Sequence, residues 1–365
     1  MGGFYFILNK TDDFLSHGGR RQKLKNSEVA ALMKKYVLLP DEIIAYLNDS
    51  FEELELASYN GGNAPKDKPL PVLLPVPENM LSAQGCNLKL SARGVPNSEI
   101  SLELPPGREN ARLTNLYAGA VYDYIFKNEK GEYKDCFETA RILPRIMDVD
   151  GICNVRDAGG WPAGDSFMRQ GLLYRGSEMN LIGNHAIEIT PDGINTMLDI
   201  LKIKTDLDLR NEEESGFLSA SPLGESVKYV RLPVLGYMDI FQERFIQPLK
   251  EIFKLFACRE GYPIYIHCWA GADRTGTILA LLKSALGVSY HDITRDFEIS
   301  TFAKFGVRGR CNKDFTYVEM FEHLKNNEPG ETLKEQARAF LTGKVGLSGE
   351  DLSNIEQILL ERPVL

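Results

Sequence analysis

Residues 267–276 carry the types of side chain that attack and hold a phosphate group. Cys268 supplies a thiol and Arg274 a guanidinium, one near each end of this stretch. The run 262–267 is short, apolar and rich in β-branched and aromatic residues, which predicts a buried strand, whereas 275–286 predicts a helix. A strand that delivers a glycine-containing loop onto a helix N-terminus forms an anion site, because unpaired N–H groups and the positive end of the helix dipole face the loop.

Each of these loop residues has a predicted task. We expect the Cys268 thiol to ionise readily beside these positive groups and to act as a thiolate nucleophile. Arg274 would hold two phosphate oxygens through its planar fork. Gly271 would let the backbone approach the anion, and Thr275 would present its hydroxyl to the sulfur of Cys268. A carboxylate beside phosphate is repelled, so Asp273 is easier to explain if it is protonated and donates that proton to the leaving group.

The remaining members of the predicted phosphate-binding loop are Trp269, Ala270, Ala272 and Gly276. We expect the neighbouring His267 to orient the loop through hydrogen bonds without moving protons. A cysteine and an arginine at this spacing also arise by chance, and rhodanese-type sulfur carriers use a cysteine loop as well. The adjoining strand, glycine and helix agree with one phosphate-binding geometry and favour it.

The loop resembles the signature HCxxGxxR[ST] of the protein tyrosine phosphatase superfamily, and more closely the HCxAGxDRTG loop of its atypical bacterial branch. Residues 154–160 resemble the NxRDxGG motif of that branch, and 171–177 its GLLYRS strand segment. Residues 205–210, with Glu213, resemble its DLRxxxE strand. The resemblance covers residues 144–360 and implies an α/β cysteine phosphatase fold, in which helices flank a central, mostly parallel sheet. It also implies catalysis without a metal or cofactor.

Polar residues in the upstream motifs form a second group of candidates. The resemblance implies that Asn154, Arg156 and Arg175 support the phosphate loop from behind. Charged residues in this group lie in or beside apolar runs, where an unpaired charge is costly, so we expect them to pair with one another. These residues are Arg156, Asp157, Arg175, Asp208 and Arg210.

Two aspartates are candidates for the general acid. Many tyrosine phosphatases carry the acid on a loop about thirty residues before the cysteine, which corresponds here to Asp239. The atypical branch resembles a design in which the loop aspartate serves, and we favour Asp273 for that reason. Asp239 would then start the helix that is predicted from Ile240.

The substrate class is left open by one departure from the branch. Its phosphoinositide-active members commonly carry Lys where this chain has Ala272, and the loss of that cation favours phosphotyrosine proteins or small phosphoesters. The main hypothesis is therefore a protein-tyrosine or dual-specificity phosphatase. Alternatives are a phosphoinositide or inositol polyphosphate phosphatase and, in a different class, a phosphate-binding pseudophosphatase that serves as an interaction module. Trp269 would stack on an aromatic leaving group or pack on the sheet.

Composition restricts the possible partners and location. The chain has 365 residues, 43% of them hydrophobic, and a net charge of −9, which argues against nucleic-acid binding. No apolar run is long enough for a transmembrane helix. The start of the chain lacks the features of a signal peptide, which favours the cytoplasm, although a trimmed start leaves secretion open. The six cysteines indicate neither a zinc site nor a disulfide framework, and Cys153 is a candidate resolving thiol. Oligomeric state is left open.

The chain divides into three predicted parts. Residues 1–69 are expected to form helices over 26–36 and 40–47, followed by a linker over 60–69. Residues 70–143 have the short alternating strands of a β-sandwich and resemble a fibronectin type III domain with Tyr122 as its corner tyrosine. This part would be a docking or spacer module, or a lid over the phosphatase sheet. Residues 144–365 are the predicted catalytic domain, which ends in helices over 332–341 and 348–360. Residues 308–310 lie where a basic loop could reach the mouth of the site, but a solvated turn is the favoured interpretation.

Overall fold

The computed structural model describes residues 34–49, 56–180, 187–312 and 315–362. Met1–Lys34 and Lys35–Leu365 are separate units, and the described fold belongs almost entirely to the second. The helix expected over 26–36 lies mostly outside the described residues. Its last two residues, Lys35–Tyr36, form strand β1 instead, because they pair in parallel with a strand about a hundred residues later in the chain.

Short strands dominate the described chain as far as Thr139. After β1 they are β2 (Val72–Pro75), β3 (Cys86–Ala92), β4 (Ile100–Leu104), β5 (Asn110–Leu113), β6 (Val121–Asn128) and β7 (Gly131–Thr139). One sheet has the order β1-β7-β6-β3-β4, and β2 pairs with β5 in another. Along β3, Leu88 and Leu90 are buried while Asn87 and Lys89 are exposed, because alternate side chains of a strand point to opposite faces. Both sheets contribute apolar side chains to one core.

A second, mixed α/β part follows. Its strands are β8 (Arg156–Asp157), β9 (Pro162–Ala163), β10 (Ser166–Met168), β11 (Leu173–Gly176), β12 (Thr205–Asp208), β13 (Lys228–Arg231), β14 (Ile264–His267) and β15 (Leu360–Glu361). The main sheet has the order β13-β12-β14-β11-β8, and all pairs are parallel except β11 with β8. Every residue of β11, β12 and β14 is buried, as expected for strands whose two faces are both covered.

Helices surround this sheet. They are α1 (Asp41–Leu47), α2 (Pro191–Asn195), α3 (Ile246–Phe256), α4 (Asp273–Leu286), α5 (Tyr290–Glu298), α6 (Tyr317–Asn327), α7 (Leu333–Gly343) and α8 (Gly349–Leu359). Helix α4 is buried along almost its whole length and ends at Gly287, whose left-handed φ of 92° closes the helix. Capping boxes at Thr332 and Ser348 start α7 and α8. Among the described residues, no helix combines the length and apolarity needed to cross a membrane.

The segment expected to be a linker, residues 60–69, is packed against the second part. A Cβ on Gly61 would lie 2.1 Å from the carbonyl oxygen of Phe302, so the backbone contact requires glycine. The Lys68 ammonium donates to the carbonyl oxygen of Val149 at 2.6 Å, and the buried Asp67 carboxylate accepts from the backbone N–H of Asn154. The expectation of a free linker is therefore wrong, because its polar side chains satisfy backbone groups next to the site.

Candidate active site

The phosphate loop follows β14, the middle strand of the main sheet. Residues 268–272 form the loop, and α4 begins at Asp273, two residues earlier than expected. Asp273 and Arg274 therefore belong to the first helical turn. The N-cap residue is Ala272, which has no side chain that could bind the first N–H groups of the helix. An uncapped helix N-terminus of this kind is suited to bind an anion.

The carbonyl groups of the loop bind donors that lie outside the loop. His267 Nδ1 lies 3.2 Å from the carbonyl oxygen of Cys268, and the Glu178 N–H donates to that of Trp269 at 2.8 Å. The Asn154 amide donates to the carbonyl oxygen of Ala270 at 2.8 Å. The Arg175 guanidinium donates to those of Gly271 and Ala272, at 2.7 and 3.2 Å. A trans peptide unit points its N–H group away from its carbonyl group. The N–H groups of residues 269–273 therefore point to the inner side of the loop.

The loop is buried at its cysteine and exposed at its tryptophan. Cys268 is 2% exposed, whereas Trp269 is 38% exposed. Gly271 has a φ of 64°, and a Cβ there would lie 2.0 Å from the carbonyl oxygen of Gly176 in β11. Glycine is thus required by the contact of the loop with β11, in addition to the expected approach of an anion.

Arg274 is fixed by the carboxylate of Glu214, which lies one residue after the Glu213 expected from the sequence. Its two terminal nitrogens donate to the two carboxylate oxygens of Glu214, at 2.8 and 3.0 Å. Burial opposes charge on both groups, but the hydrogen bonds from Arg274 hold the pKa of Glu214 below its usual range. The pKa of Arg274 is raised by the nearby Cys268 and by Glu214. Counted from Arg210, the DLRxxxE spacing also leads to Glu214, so the choice of Glu213 is wrong. The end-on pairing leaves the Nε edge of Arg274 for a phosphate.

Asp273 is held by two donors from other segments. Its carboxylate accepts a hydrogen bond from the Tyr237 hydroxyl and two from the Arg308 guanidinium, at 2.7 and 3.2 Å. Tyr237 has a φ of 57°, an uncommon conformation for a residue with a side chain. The expectation of a solvated turn is wrong for Arg308, whose cation lies at the site, and for Arg310, which pairs with the buried Glu298.

The alternative acid, Asp239, lies in the 3₁₀ helix Tyr237–Phe241. It is exposed, and its carboxylate accepts a hydrogen bond from Gln242 within the same turn. The expected capping role is wrong, because Asp239 sits inside the turn, the N-cap is Gly236, and α3 begins only at Ile246. This segment contacts the start of α4 through Tyr237, whose hydroxyl donates to Asp273.

Thr275 is fully buried, and its hydroxyl oxygen makes no hydrogen bond with any described residue. The expected bond to the sulfur of Cys268 is therefore absent from the described contacts. The hydroxyl lies in the first turn of α4, beside Arg274. A buried hydroxyl without a partner is costly, so the group is suited to bind a species that enters the loop.

Beneath the loop, three cations share one carboxylate. Asp296 in α5 pairs with Arg156, Arg175 and Lys283, each at 2.8 Å, and all four side chains are nearly fully buried. Burial alone would raise the pKa of Asp296, but the three cations hold it far below its usual range. The cluster therefore carries an excess of positive charge, and Arg175 connects it to the loop carbonyls.

The expectation that the upstream charges pair with one another holds for Asp208 and Arg210 alone, at 2.7 Å. Asp157 binds Arg145, at 2.9 Å, and the backbone of Gly159 and Gly171. The prediction is wrong for the other pairs because Asp296 and Arg145 are closer partners. Asn154 links Arg156 to the carbonyl oxygen of Ala270, so it bridges the buried cluster and the loop.

His267 is a buried cation between two carboxylates. Its Nε2 lies 2.9 Å from Asp206 Oδ1, and its Nδ1 lies 4.0 Å from Asp208 Oδ1. Burial lowers its pKa, but the two carboxylates outweigh burial and raise the pKa to about 9. Both ring nitrogens therefore carry protons at neutral pH, and Nδ1 donates to the carbonyl oxygen of Cys268. Such a ring orients the loop.

Sequence reasoning missed several residues that act on the loop. They are Glu178, Asp206, Glu214, Tyr237 and Asp296, whereas Arg308 was weighed only as the less favoured alternative to a solvated turn. Two signals were present: the DLRxxxE spacing identifies Glu214, and Asp296 lies in a stretch that continues the family resemblance. The others lacked a local signal. In the described part of the chain, no group of three or more His, Cys, Asp or Glu side chains is placed to hold a metal ion.

A model of the tyrosine phosphatase family matches residues 147–361, more than half of the chain. The chain belongs to the tyrosine phosphatase family. The match includes the phosphate loop, Asn154, Glu214, Asp296 and Arg308. Of the site residues described above, Arg145 lies before the matched region, and so does Asp67, which contacts Asn154.

Two curated relatives of the tyrosine phosphatase family are similar over part of their length. A protein of Cupriavidus necator, named provisionally as a tyrosine-protein phosphatase, is 31% identical over 176 residues, which are 41% of this chain and 61% of the relative. A tyrosine-protein phosphatase of Nostoc commune is 28% identical over 123 residues, which are 28% of this chain and 42% of that protein. The chain thus spans about three fifths and two fifths of these relatives.

One solved structure is similar at a more remote level. It is the core catalytic domain of the PP-IP phosphatase SIW14 from S. cerevisiae, in complex with citrate. The identity is 19% and the TM-score 0.27, over 39% of this chain and 79% of that one. Similarity of this degree carries no argument about the substrate.

Proposed function

We propose that the protein is a cysteine-dependent phosphomonoester hydrolase that acts on phosphotyrosine proteins or small phosphoesters. The observation that carries this proposal is the orientation of the loop. Its carbonyl groups bind Asn154, Arg175 and other outer donors, so its N–H groups converge on the side that a phosphate would occupy. Arg274 is held at the end of that loop by Glu214.

The first step transfers the phosphoryl group to the protein. The thiolate of Cys268 attacks phosphorus, a sulfur–phosphorus bond forms, and the bond from phosphorus to the leaving oxygen breaks. Asp273 gives its proton to that oxygen and becomes a carboxylate. The inward N–H groups and the Nε edge of Arg274 stabilise the charge on the equatorial oxygens.

The second step releases phosphate. A water molecule attacks phosphorus and gives a proton to the Asp273 carboxylate. The sulfur–phosphorus bond breaks, its electron pair returns to Cys268 as a thiolate, and inorganic phosphate leaves. The buried hydroxyl of Thr275, which has no partner among the described residues, is suited to bind the phosphoryl group in the loop. His267 and the Asp296 cluster hold the loop in shape and act through it.

We favour Asp273 over Asp239 as the acid because Asp273 is adjacent to Arg274 and is oriented by Tyr237 and Arg308. Arg308 holds the same carboxylate in place at 2.7 Å. Asp273→Asn should lower turnover strongly at neutral pH and flatten the alkaline side of the pH–rate profile, because a general acid is active only while it holds its proton. A strong loss in Asp239→Asn with little change in Asp273→Asn would reverse the assignment.

Hydrolysis of a chromogenic aryl phosphate by reduced protein in a chelator tests the function. Wild type should be active, Cys268→Ser inactive, and Cys258→Ser, which changes an exposed cysteine, unaffected. Chelator-sensitive activity would point to metal chemistry instead. If phosphopeptides bind tightly to a wild type that hydrolyses none of them, the protein is a pseudophosphatase interaction module.

A second candidate function is hydrolysis of phosphoinositides or inositol polyphosphates. Ala272 removes the cation that such members of the branch carry, but Arg308 brings a cation from another segment to the adjacent Asp273. A substrate with several phosphates has more charge for Arg308 to bind. Arg308→Gln should then raise the KM for multiply phosphorylated substrates more than the KM for a phosphotyrosine peptide. An equal change in the KM for both kinds of substrate would argue against this second function and leave the tyrosine phosphatase proposal as the only one.

We also propose that residues 70–143 are a fibronectin type III-like domain and residues 144–365 the catalytic domain, preceded by an N-terminal segment over residues 1–69. The Tyr122 hydroxyl accepts from the backbone N–H of Tyr117 at 2.8 Å, as in a tyrosine corner. Its ring also stacks on Phe137. A fragment of residues 70–143 should unfold cooperatively on heating. A fragment without a cooperative transition would argue against an independent domain.

The finer assignment, to the atypical bacterial branch, is supported by the order of loop residues Ala270, Gly271, Asp273 and Arg274. In that branch the acid lies in the loop itself. The comparison of Asp273→Asn with Asp239→Asn therefore tests the branch as well. If Asp239→Asn is the inactive variant, the ordinary tyrosine phosphatase design is favoured.

A further inference from the structure

A cleft of about 1010 Å³ lies between the β-strand part and the main sheet, away from the phosphate loop. Its walls include residues 94–97 and 117–121 on one side, and Leu172, Lys204 and Pro263 on the other. The last three residues directly precede β11, β12 and β14, whereas Cys268 follows the other end of β14. At a rise of about 3.3 Å per residue, the cleft and the thiol are roughly 15 Å apart.

The cleft is strongly basic in a chain whose net charge is −9. A single carboxylate, Glu361, faces its cations, which are Arg93, Arg141, Arg169, Lys202, Lys204 and Arg259. Arg93 pairs with Asp123, and Arg169 approaches Glu361 at 3.9 Å. The other four cations form no ion pair within the described ranges. Glu260, which is not part of the cleft wall, lies near enough to Arg259 and Lys204 to interact with both charges, so the protein neutralises the four cations only in part.

The backbone directs two of these cations to one side. Ile203 is buried, whereas its neighbours Lys202 and Lys204 are exposed and both line the cleft. Lys202 has a φ of 58°, a conformation that costs free energy in a residue with a side chain. Arg141 stacks on Phe167, which leaves the guanidinium edges for a ligand.

We propose that this cleft binds a small polyanion that carries several phosphate groups. The four cations that form no ion pair repel one another, and a ligand with three or more negative charges removes that repulsion. The volume is that of a small-molecule site, which favours a soluble ligand over a macromolecule. Because the cations come from both parts of the chain, the bound ligand stabilises their contact. The proposal does not depend on catalysis at Cys268.

Titration calorimetry with inorganic tripolyphosphate tests the site. Arg274→Ala serves as the host protein, since it removes the phosphate-holding guanidinium of the catalytic loop. Replacing Lys202 and Lys204 by serine in this host should weaken binding by about tenfold or more, as expected for the loss of charge-assisted hydrogen bonds. The matched control replaces the exposed Lys325 and Lys344 by serine, which gives the same change in net charge and should leave binding unchanged.

Binding should also weaken as salt is added, because exposed charges are screened. Equal losses in the cleft pair and the control pair, or no binding in the host, would overturn the proposal. Binding to phosphatidylcholine vesicles that contain phosphatidylinositol bisphosphate, without binding of tripolyphosphate, would also overturn it in favour of a lipid surface. In the otherwise wild-type protein, the Lys202 and Lys204 changes should leave aryl phosphate hydrolysis unchanged, which separates this test from that of the proposed catalysis.

Discussion

Raising the pH from about 6 to about 8 should destabilise the folded protein, because His267 is a buried cation over this range. Two carboxylates raise its pKa to about 9, against 6.5 for an ordinary histidine. Since the folded-state pKa is the higher one, the stabilisation is complete below about pH 6.5 and is lost as the pH rises through about 9. These two pKa values correspond to a loss of about 2 kcal/mol between pH 6 and pH 8.

Other groups contribute less to this window. Burial lowers the pKa of His291, so its effect has the opposite sign and falls at the acidic end of the window. Burial lowers the pKa of Lys283 to about 8, so its effect has the opposite sign and belongs mainly to higher pH. Burial raises the pKa of Cys153 to about 11, which lies above the window. The slope between pH 6 and pH 8 therefore reports mainly on His267.

Urea unfolding of reduced protein at a series of pH values measures the effect, provided that the urea dependence of the free energy is the same at each pH. The variant Asp206→Asn keeps a hydrogen-bonding group at the His267 Nε2 but removes one of the charges that raise the pKa. It should reduce the loss and move it to lower pH. A wild type whose free energy of unfolding is flat or rises over this range would refute the assignment of a cationic His267. An unchanged slope in Asp206→Asn would refute the role of that carboxylate.

Three substitutions test the parts of the loop. Glu214→Gln should lower kcat/KM by roughly 10–100-fold because Arg274 loses its orientation. The change Glu213→Gln at the exposed neighbour should not lower kcat/KM, and equal effects of the two variants would contradict the pairing of Glu214 with Arg274. Gly271→Ala should cost about 1–3 kcal/mol more in urea unfolding than Gly107→Ala, which shares the positive φ but has open space around it; similar costs would contradict the contact with β11. Tyr237→Phe should lower kcat by about tenfold for phenyl phosphate and less for a better leaving group, because it orients the acid; a loss independent of the leaving group would point to a structural role.

The loop and the elements beside it were predictable because their signals are local. The first three residues of β14 are apolar or aromatic, and His267 is the fourth. The helix that follows the loop has a glycine at its C-terminal end. The boundaries were less accurate. Helix α4 begins at Asp273 because the loop delivers Asp273 and Arg274 directly into the first turn, a feature that hydrophobic periodicity does not report.

The partners of the charged residues were not predictable, because the fold brings them from far along the chain. Asp296 lies 140 residues after Arg156 and 121 residues after Arg175. Sequence reasoning correctly required that buried charges be paired, but the choice of partner depends on how α5 packs under the loop. Arg308 illustrates the same limit, since its composition suggested a solvated turn and its contact with Asp273 depends on the tertiary fold.

The polar segment 60–69 was misread for a related reason. Gly, Asn, Pro and Lys are typical of linkers, and nothing local distinguishes a free linker from one that packs. Here Lys68 and Asp67 satisfy backbone groups of the second part, and Gly61 is in contact with Phe302. Such contacts lie between segments that are distant in sequence.

The central claim is that Cys268 carries the phosphoryl group during the reaction. Reduced protein should be mixed with a radiolabelled phosphotyrosine peptide, quenched within milliseconds, digested, and analysed by mass spectrometry. We predict label on the peptide that contains Cys268, no label in Cys268→Ser, and normal labelling in Cys258→Ser. Turnover without label on Cys268, or label on a different residue, would contradict the mechanism.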